Sequence, residues 1–373
     1  MSMVESFYVA FRVDASLQIG SGHVMRCLTL ADELKHRGAN VIFICRAHSG
    51  HLTSLIENKG YKLELLPQTG IEYISSANDV AHAAWLGVPL LQDADDTITA
   101  LKGIKPNWLI VDHYAIDNRW ETKLRPYVCK IMVIDDLADR PHDCDLLLDQ
   151  NLYQKLETRY YNMVPQSCHN LLGPKYALLR SEFASARKKL RQRDGHVRRL
   201  LVFFGGVDPT NETEKTLQAL TGNIDLQIEV DVVVGSGNIH KEQIQNLCSA
   251  QNGFIFHCQV NNMAELMASA DLSIGGGGAT TWERCFLGLP SITIVVAENQ
   301  LEASMAVENA GAAWNLGWHE NVSVTSIMHA IKHALDNPNL LREMSLKGQR
   351  LMERSDNSDN STVTKYIMEG IHG

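Results

Sequence analysis

The sequence predicts an α/β protein of two domains, each built on a parallel sheet. Three observations carry this. Short apolar runs alternate with stretches of helical spacing, the pattern of a parallel sheet whose crossovers are helices. The pattern stops in a basic segment and restarts near Leu200. The chain has 373 residues, too many for one typical core.

Residues 7–11 read as the first strand. The turn Ile19-Gly20-Ser21-Gly22-His23 follows, and residues 28–35 bring strong helix formers at helical spacing. Gly38 ends that helix before a strand at 41–45. A short helix at 51–58, a strand at 62–66 and a helical region from about Ala77 to Lys102, broken near Pro89, come next. The strand 108–111 ends in Asp112-His113-Tyr114, and Asp117 is placed to cap a helix over 118–125. Strands at 131–134 and 146–148 end in Asp135-Asp136 and Asp149-Gln150-Asn151. The second half gives strands at 200–204, 228–234, 254–257, 271–274 and 291–295. A helix is expected over 301–310, and helices in roughly the last 50 residues. The expected division is a first domain 1–185, a linker 186–198, a second domain 199–355, and a C-terminal helix 356–373 that packs back on the first domain. The basic run Ala186–Arg193 reads as a solvated helix end plus linker.

Composition narrows the function classes. The chain is 45% hydrophobic and 21% charged with a net charge of −9, which argues against a nucleic-acid surface. No run of 18 apolar residues suggests a membrane span. Residues 1–6 lack a basic region ahead of an apolar block, so no secretory leader and a cytoplasmic location are expected. The eight cysteines are scattered without a C-x-x-C pair, which fits free thiols. No ligand spacing for a metal is present, and neither a metal nor a cofactor is expected.

In a parallel sheet, polar residues just past the strand ends line the binding crevice. Here these are Asp14, Asp112, His113, Tyr114, Asp135, Asp136, Asp149 and Asn151. His23 follows a glycine turn at a helix start, where Gly20 and Gly22 let a ligand approach the backbone. A neutral histidine facing a cleft there can act as a base. The second glycine loop, Gly275-Gly276-Gly277-Gly278-Ala279-Thr280-Thr281, follows a buried strand and opens a helix, the arrangement of a pyrophosphate cradle. Glu283 sits one turn further on, where its carboxylate can accept from two ribose hydroxyls. A third glycine pair, Gly205-Gly206, follows the strand 200–204.

These motifs carry a resemblance. Gly275–Glu283 with Gly288-Leu289-Pro290 resembles the UDP loop of MurG-type GT-B sugar enzymes. Arg12–Ser16, Ile19–Cys27, Asp112-His113-Tyr114, Asp135-Asp136, Gly173–Arg180 and Glu298-Asn299-Gln300 resemble the PseG family of UDP-sugar hydrolases. The resemblance implies a GT-B fold, two Rossmann-like domains with parallel sheets facing across a cleft, with sugar and water handled by the N-terminal domain and UDP by the C-terminal one. It implies inverting hydrolysis of UDP-2,4-diacetamido-2,4,6-trideoxy-β-L-altropyranose in pseudaminic acid biosynthesis, serving flagellin glycosylation or a surface polysaccharide. His23 matches the family's general base. Asp14, Gly22, Tyr114, Asn299 and Gln300 are implied around the sugar, with Asp14 a candidate to orient substrate, water or His23. Gly205, Gly206, Val260, Met263, Gly277, Gly278, Ala279, Thr280 and Glu283 are implied around UDP, with uracil against the backbone of 260–263. No obligatory protein partner is implied. A GT-B glycosyltransferase using His23 on an acceptor hydroxyl, and a nucleotide-sugar binding protein without turnover, are the rival readings. A dehydrogenase is weaker, since neither glycine loop matches the dinucleotide pattern.

Overall fold

The computed structural model describes residues 6–68, 73–74, 76, 79–221, 228–353 and 362–369. They divide into two compact units. The first holds the chain to Asn151, Lys155–Leu178 and the C-terminal helix; the second holds Leu152–Gln154 and the chain from Leu179 on.

The first unit is a seven-stranded sheet. Its elements in chain order are β1 (Tyr8–Val13), α1 (Gly22–His36), β2 (Asn40–Arg46), α2 (Thr53–Asn58), β3 (Lys62–Leu66), α3 (Leu90–Ala100), β4 (Trp108–Asp112), α4 (Asn118–Leu124), β5 (Lys130–Ile134), β6 (Leu146–Asp149) and β7 (His169–Leu172). The strand order is β3-β2-β1-β4-β5-β6-β7, with every pairing parallel. The order reverses between β1 and β4, where Val13 pairs with Asp112. Central strands buried on both faces are near-continuous apolar runs, and Val9, Phe11, Ile110, Met132 and Leu148 are buried in one cluster with α1.

The second unit begins with α5 (Ser181–Lys188) and continues through β8 (Arg199–Phe203), α6 (Glu212–Thr221), β9 (Glu229–Val234), α7 (Lys241–Ser249), β10 (Phe254–Cys258), α8 (Met263–Ser269), β11 (Leu272–Gly276), α9 (Thr280–Phe286), β12 (Ser291–Val295), α10 (Leu301–Asn309), β13 (Trp314–Trp318), α11 (Val324–Asp336) and α12 (Pro338–Leu351). Its six strands run parallel in the order β10-β9-β8-β11-β12-β13, reversing between β8 and β11. The C-terminal helix α13 (Thr362–Glu369) belongs to the first unit. Its Val363 and Ile367 are buried in that core, and the Ile367 carbonyl accepts from Trp108 Nε1 at 3.0 Å.

Several sequence expectations are revised. The units divide between Leu178 and Leu179, ahead of the expected boundary at 185, because α5 packs with the second unit: Phe183 is buried beside Leu201, Met263 and Leu287. In the segment 186–198, Lys188, Lys189, Arg191 and Arg198 are exposed as expected, but Arg193 is not. Arg193 is 6% exposed and donates to the carbonyls of Met267 and Ala268 in the last turn of α8, of Ala270 just past it, and of Leu287 and Gly288 just past α9, where helix carbonyls lack partners within the helix. Arg191 pairs with Asp271 at 2.5 Å. The helical region at 77–102 is a 3₁₀ turn, Ala83–Leu86, then α3 with Pro89 as its cap. Its expected start at Ala77 and the boundary at 355–356 lie outside the described residues. Two edge strands, β7 and β13, were not expected.

Candidate functional site

In the first unit the site starts from the loop after β1. The Ser16 hydroxyl accepts from the Gln18 and Ile19 amides at 3.1 and 2.9 Å, and Gly20 takes φ +79°, which lets the chain reverse into α1. His23 is the second residue of α1 and 7% exposed. Its Nδ1 lies 2.6 Å from Asp112 Oδ1. Burial alone would raise the Asp112 carboxyl, but the charge of Arg26 and the contact with His23 outweigh it and hold it below the usual range. An ionised Asp112 accepts, so in the neutral ring the proton belongs on Nδ1 and the lone pair on Nε2.

Arg26, one turn further along α1, forks onto Asp112 through Nε at 2.6 Å and Nη2 at 2.7 Å. Its Nη1 reaches Asp136 at 3.1 Å. The Tyr114 hydroxyl donates to Asp136 Oδ1, and Asn151 Nδ2 to its Oδ2 at 3.4 Å. The Tyr114 ring meets the His23 ring edge-on at 4.6 Å between centroids, and Trp85 stacks on Tyr114 at 5.6 Å. The strand ends of β1, β4, β5 and β6 thus bring His23, Asp112, Tyr114, Asp136 and Asn151 together. What the cluster offers chemically is a histidine held by a carboxylate, beside an aromatic wall.

Asp14 belongs to a different cluster. Its carboxylate accepts from the Arg46 amide at 2.7 Å and pairs with Arg12 at 2.7 Å. Burial alone would raise it, but Arg12, His113 and His48 hold it well below the carboxylate range. His113 Nδ1 accepts from the Ala115 amide at 3.1 Å, so Nε2 carries the hydrogen and faces Asp14 at 3.3 Å. The structure therefore places Asp112, and not Asp14, on His23. Asp14 holds the ends of β1 and β2 instead. Asp135 is likewise engaged, by Arg140 at 2.9 Å and by the Ala138 amide at 2.9 Å. Past β6, the Tyr160 hydroxyl lies 3.0 Å from both Asp135 and Asp149. Burial and the nearby charge of Asp136 push the Asp149 carboxyl up to about 8.

In the second unit the loop after β11 shows why it is made of glycine. A Cβ on Gly275 would lie 2.2 Å from the Phe203 carbonyl, and one on Gly277 would lie 2.2 Å from Ser304 Oγ. Residues 277–280 are partly or fully exposed. The Gln300 side chain reaches this loop: its Oε1 accepts from the Val296 amide at 3.3 Å, and its Nε2 is 3.4 Å from a Cβ built on Gly278. Asn299 is exposed beside it. Glu283 pairs with Arg180 at 3.2 Å, and burial raises its carboxyl while Arg180 partly offsets the rise. The loop after β8 takes φ +94° at Gly205, and the Gly206 carbonyl fits only because Gly235 lacks a Cβ, which would approach it to 2.3 Å. Met263 is buried in the core and Val260 is half-buried against it, so the segment 260–263 turns its apolar side chains inward.

Sequence reading left the role of Asp112 open and did not single out Arg180 or Arg284. Among the described residues no group of three or more His, Cys, Asp or Glu side chains is placed to hold a metal ion, and no helix is long and apolar enough to cross a membrane.

Residues 200–358 match the glycosyltransferase family 28 C-terminal domain. The chain is 29% identical over 294 residues to the UDP-2,4-diacetamido-2,4,6-trideoxy-β-L-altropyranose hydrolase of Campylobacter jejuni, covering 78% of this chain and 93% of that protein. It is 28% identical over 300 residues to an uncharacterised protein of Methanocaldococcus jannaschii, across 79% of this chain; the chain spans 56% of that protein's length. Among solved structures, MurG of Acinetobacter baumannii superposes with a TM-score of 0.63 at 15% identity, over 92% of this chain and 95% of that one. The chain is thus similar to PseG-type hydrolases in sequence, and its fold is GT-B.

Proposed function

We propose that the protein hydrolyses UDP-2,4-diacetamido-2,4,6-trideoxy-β-L-altropyranose to UDP and the free sugar with inversion, as a step of pseudaminic acid biosynthesis supplying flagellin glycosylation or a surface polysaccharide. The observation that carries the chemistry is the 2.6 Å contact of His23 Nδ1 with Asp112. It leaves Nε2 as the acceptor. As a water oxygen bonds to the anomeric carbon, Nε2 takes one of its protons. The bond from that carbon to the β-phosphate oxygen breaks, and its electron pair leaves with UDP. Asp112 steadies the imidazolium that forms, as in other carboxylate–histidine pairs. Ordinary inverting glycosidases need an acid as well as a base. UDP is already a good leaving group, so one base is enough.

In this reading Tyr114 and Gly22 lie at the sugar, and Asn299 and Gln300 at the sugar or diphosphate. Gly205, Gly206, Val260, Met263, Gly277, Gly278, Ala279, Thr280 and Glu283 lie at UDP. The likeness to the C. jejuni hydrolase over 78% of the chain supports the substrate. The family 28 match favours one rival, a glycosyltransferase on the same fold. Incubating the protein with the altrose-configured UDP-sugar and no acceptor separates them. UDP release with one product anomer supports hydrolysis, and exhaustive chelation is expected to leave the rate unchanged. Release only on adding an acceptor alcohol would make it a transferase, and binding without release would make it a sensor.

A further inference from the structure

Arg284 is fully buried beneath the second glycine loop. Its Nη2 donates to the Gly276 carbonyl at 2.7 Å and to the Thr281 hydroxyl at 3.0 Å, while its Nε has no partner. Its Nη1 lies 2.7 Å from where a Cβ on Gly275 would stand, so the guanidinium occupies the space that glycine leaves. No carboxylate lies within 4.0 Å of it among the described residues. Glu283, its neighbour in sequence, is turned onto Arg180. A second buried polar group at the loop, Ser304 Oγ, also lacks a partner and abuts Gly277.

An unpaired buried cation is costly, and an anion arriving beside it would offset that cost. Arg193, buried in the same unit, shows the contrast: it has no carboxylate within hydrogen-bonding reach either, but its three guanidinium nitrogens are spent on carbonyls at helix ends. Arg284 touches one carbonyl and one hydroxyl, both belonging to the loop itself.

We infer that Arg284 is the charge that the loop holds in reserve for a diphosphate: a positioning residue that fixes the Gly276 carbonyl and Thr281 hydroxyl from below and attracts the anion through the loop without touching solvent. The inference rests on the reading of this loop as the UDP site. It adds that the preference for the diphosphate over the bare nucleoside comes in part from a side chain behind the backbone. Because the charge sits in a low-dielectric interior, salt screens it less than a surface arginine.

The test is calorimetric titration of the full-length protein with UDP and with uridine, on wild type, Arg284→Lys and Arg284→Gln, with circular dichroism to show that each is folded. In wild type UDP binds more tightly than uridine. Arg284→Gln is expected to lose about 10-fold or more of that preference, the scale of a charge-assisted interaction, with uridine affinity nearly unchanged. Arg284→Lys, which keeps the charge, is expected to retain most of it. If Gln and Lys lower the preference equally, or UDP and uridine weaken in parallel, Arg284 is only a scaffold and the inference falls while the UDP site stands. If folded wild type binds no UDP, the reading of the loop itself falls. Should Arg284→Gln fail to fold, Arg284→Lys decides alone: a lost preference with retained charge overturns the inference, and a kept one supports it.

Discussion

In the first unit, the chain past β1 and β4 gathers an ion-paired cluster, with His23, Arg26, Asp112 and Asp136 linked by contacts of 2.6–3.1 Å. In the second, the chain past β8 and β11 is glycine, with small side chains and one buried arginine behind them. Both places are the point where strand order reverses, which is where open parallel sheets bind ligands. One sheet has filled the position with side chains able to move a proton. The other has left it without side chains, which in the proposed function lets the diphosphate meet the backbone. A change in the first should therefore act on rate, and a change in the second on binding.

The largest effect is expected from His23→Asn. It removes the acceptor nitrogen and should cut UDP release by about 10²–10⁴-fold. The fold and UDP affinity, measured by circular dichroism and calorimetry, should stay near wild type. Near-normal turnover in a folded variant would move the base elsewhere and dissolve the division of labour between the units.

Asp112→Asn comes next. An amide no longer steadies imidazolium and can select the wrong tautomer, so the rate should fall by about 10²–10³-fold. Unlike His23→Asn, it also leaves Arg26 short of a charge in a buried place. A buried pair broken on one side costs up to about 3–5 kcal/mol, and the melting temperature should drop. A rate loss with an unchanged melting temperature would show that Asp112 acts on His23 alone.

The two candidate sites were not equally legible. The glycine loop and Glu283 lie in one short stretch, so both could be read in sequence order. His23 was legible for the same reason, from Gly20 and Gly22 beside it. Its partner Asp112 is 89 residues away, and only the pairing of Val13 with Asp112 across neighbouring strands brings it near. Strand-end position flagged Asp112 but flagged Asp14 equally, and nothing local separates a carboxylate that meets histidine from one that meets Arg12. The fold shows the same rule. Apolar runs such as Leu109–Val111 announce central strands, whereas the edge strands His169–Leu172 and Trp314–Trp318 are half-buried and carry no continuous apolar run. Arg193 looked like solvated charge because a sequence does not show which carbonyls end nearby.

Glu283→Gln probes the binding side. If its carboxylate holds the ribose, UDP should bind more weakly by about 1.5–3 kcal/mol with turnover at saturation little changed. Here Glu283 also engages Arg180 at 3.2 Å. Arg180→Gln therefore distinguishes two cases: tighter UDP binding would mean that the arginine competes with ribose, and weaker binding that it orients the carboxylate. Unchanged UDP affinity in Glu283→Gln would take the residue out of the site.

The last prediction reads neither rate nor UDP affinity but the pH dependence of stability at the edge of the first site. Asp149 has its carboxyl raised to about 8 by burial and by Asp136. The folded protein therefore keeps a proton that the unfolded chain has already released, and stability must fall as pH climbs from the ordinary carboxylate range to about 8. Each pH unit of that interval costs at most about 1.4 kcal/mol. His142 acts in the same direction: burial pulls it down, but Glu121 raises it further, so its contribution is present in acid and is lost as pH rises through the folded value. Asp149→Asn mimics the protonated acid: its one oxygen stays for the Asn151 amide, now 3.0 Å from Oδ1, and its NH2 takes the place of Oδ2, where it can donate to the Tyr160 hydroxyl 3.0 Å away. It should match wild type in mild acid, exceed it above pH 8, and retain only the shallower slope that His142 leaves. Melting temperatures across that range measure it. Parallel curves for the two proteins would show that Asp149 is ionised in the fold, with Arg159, 3.3 Å away, as its counter-charge.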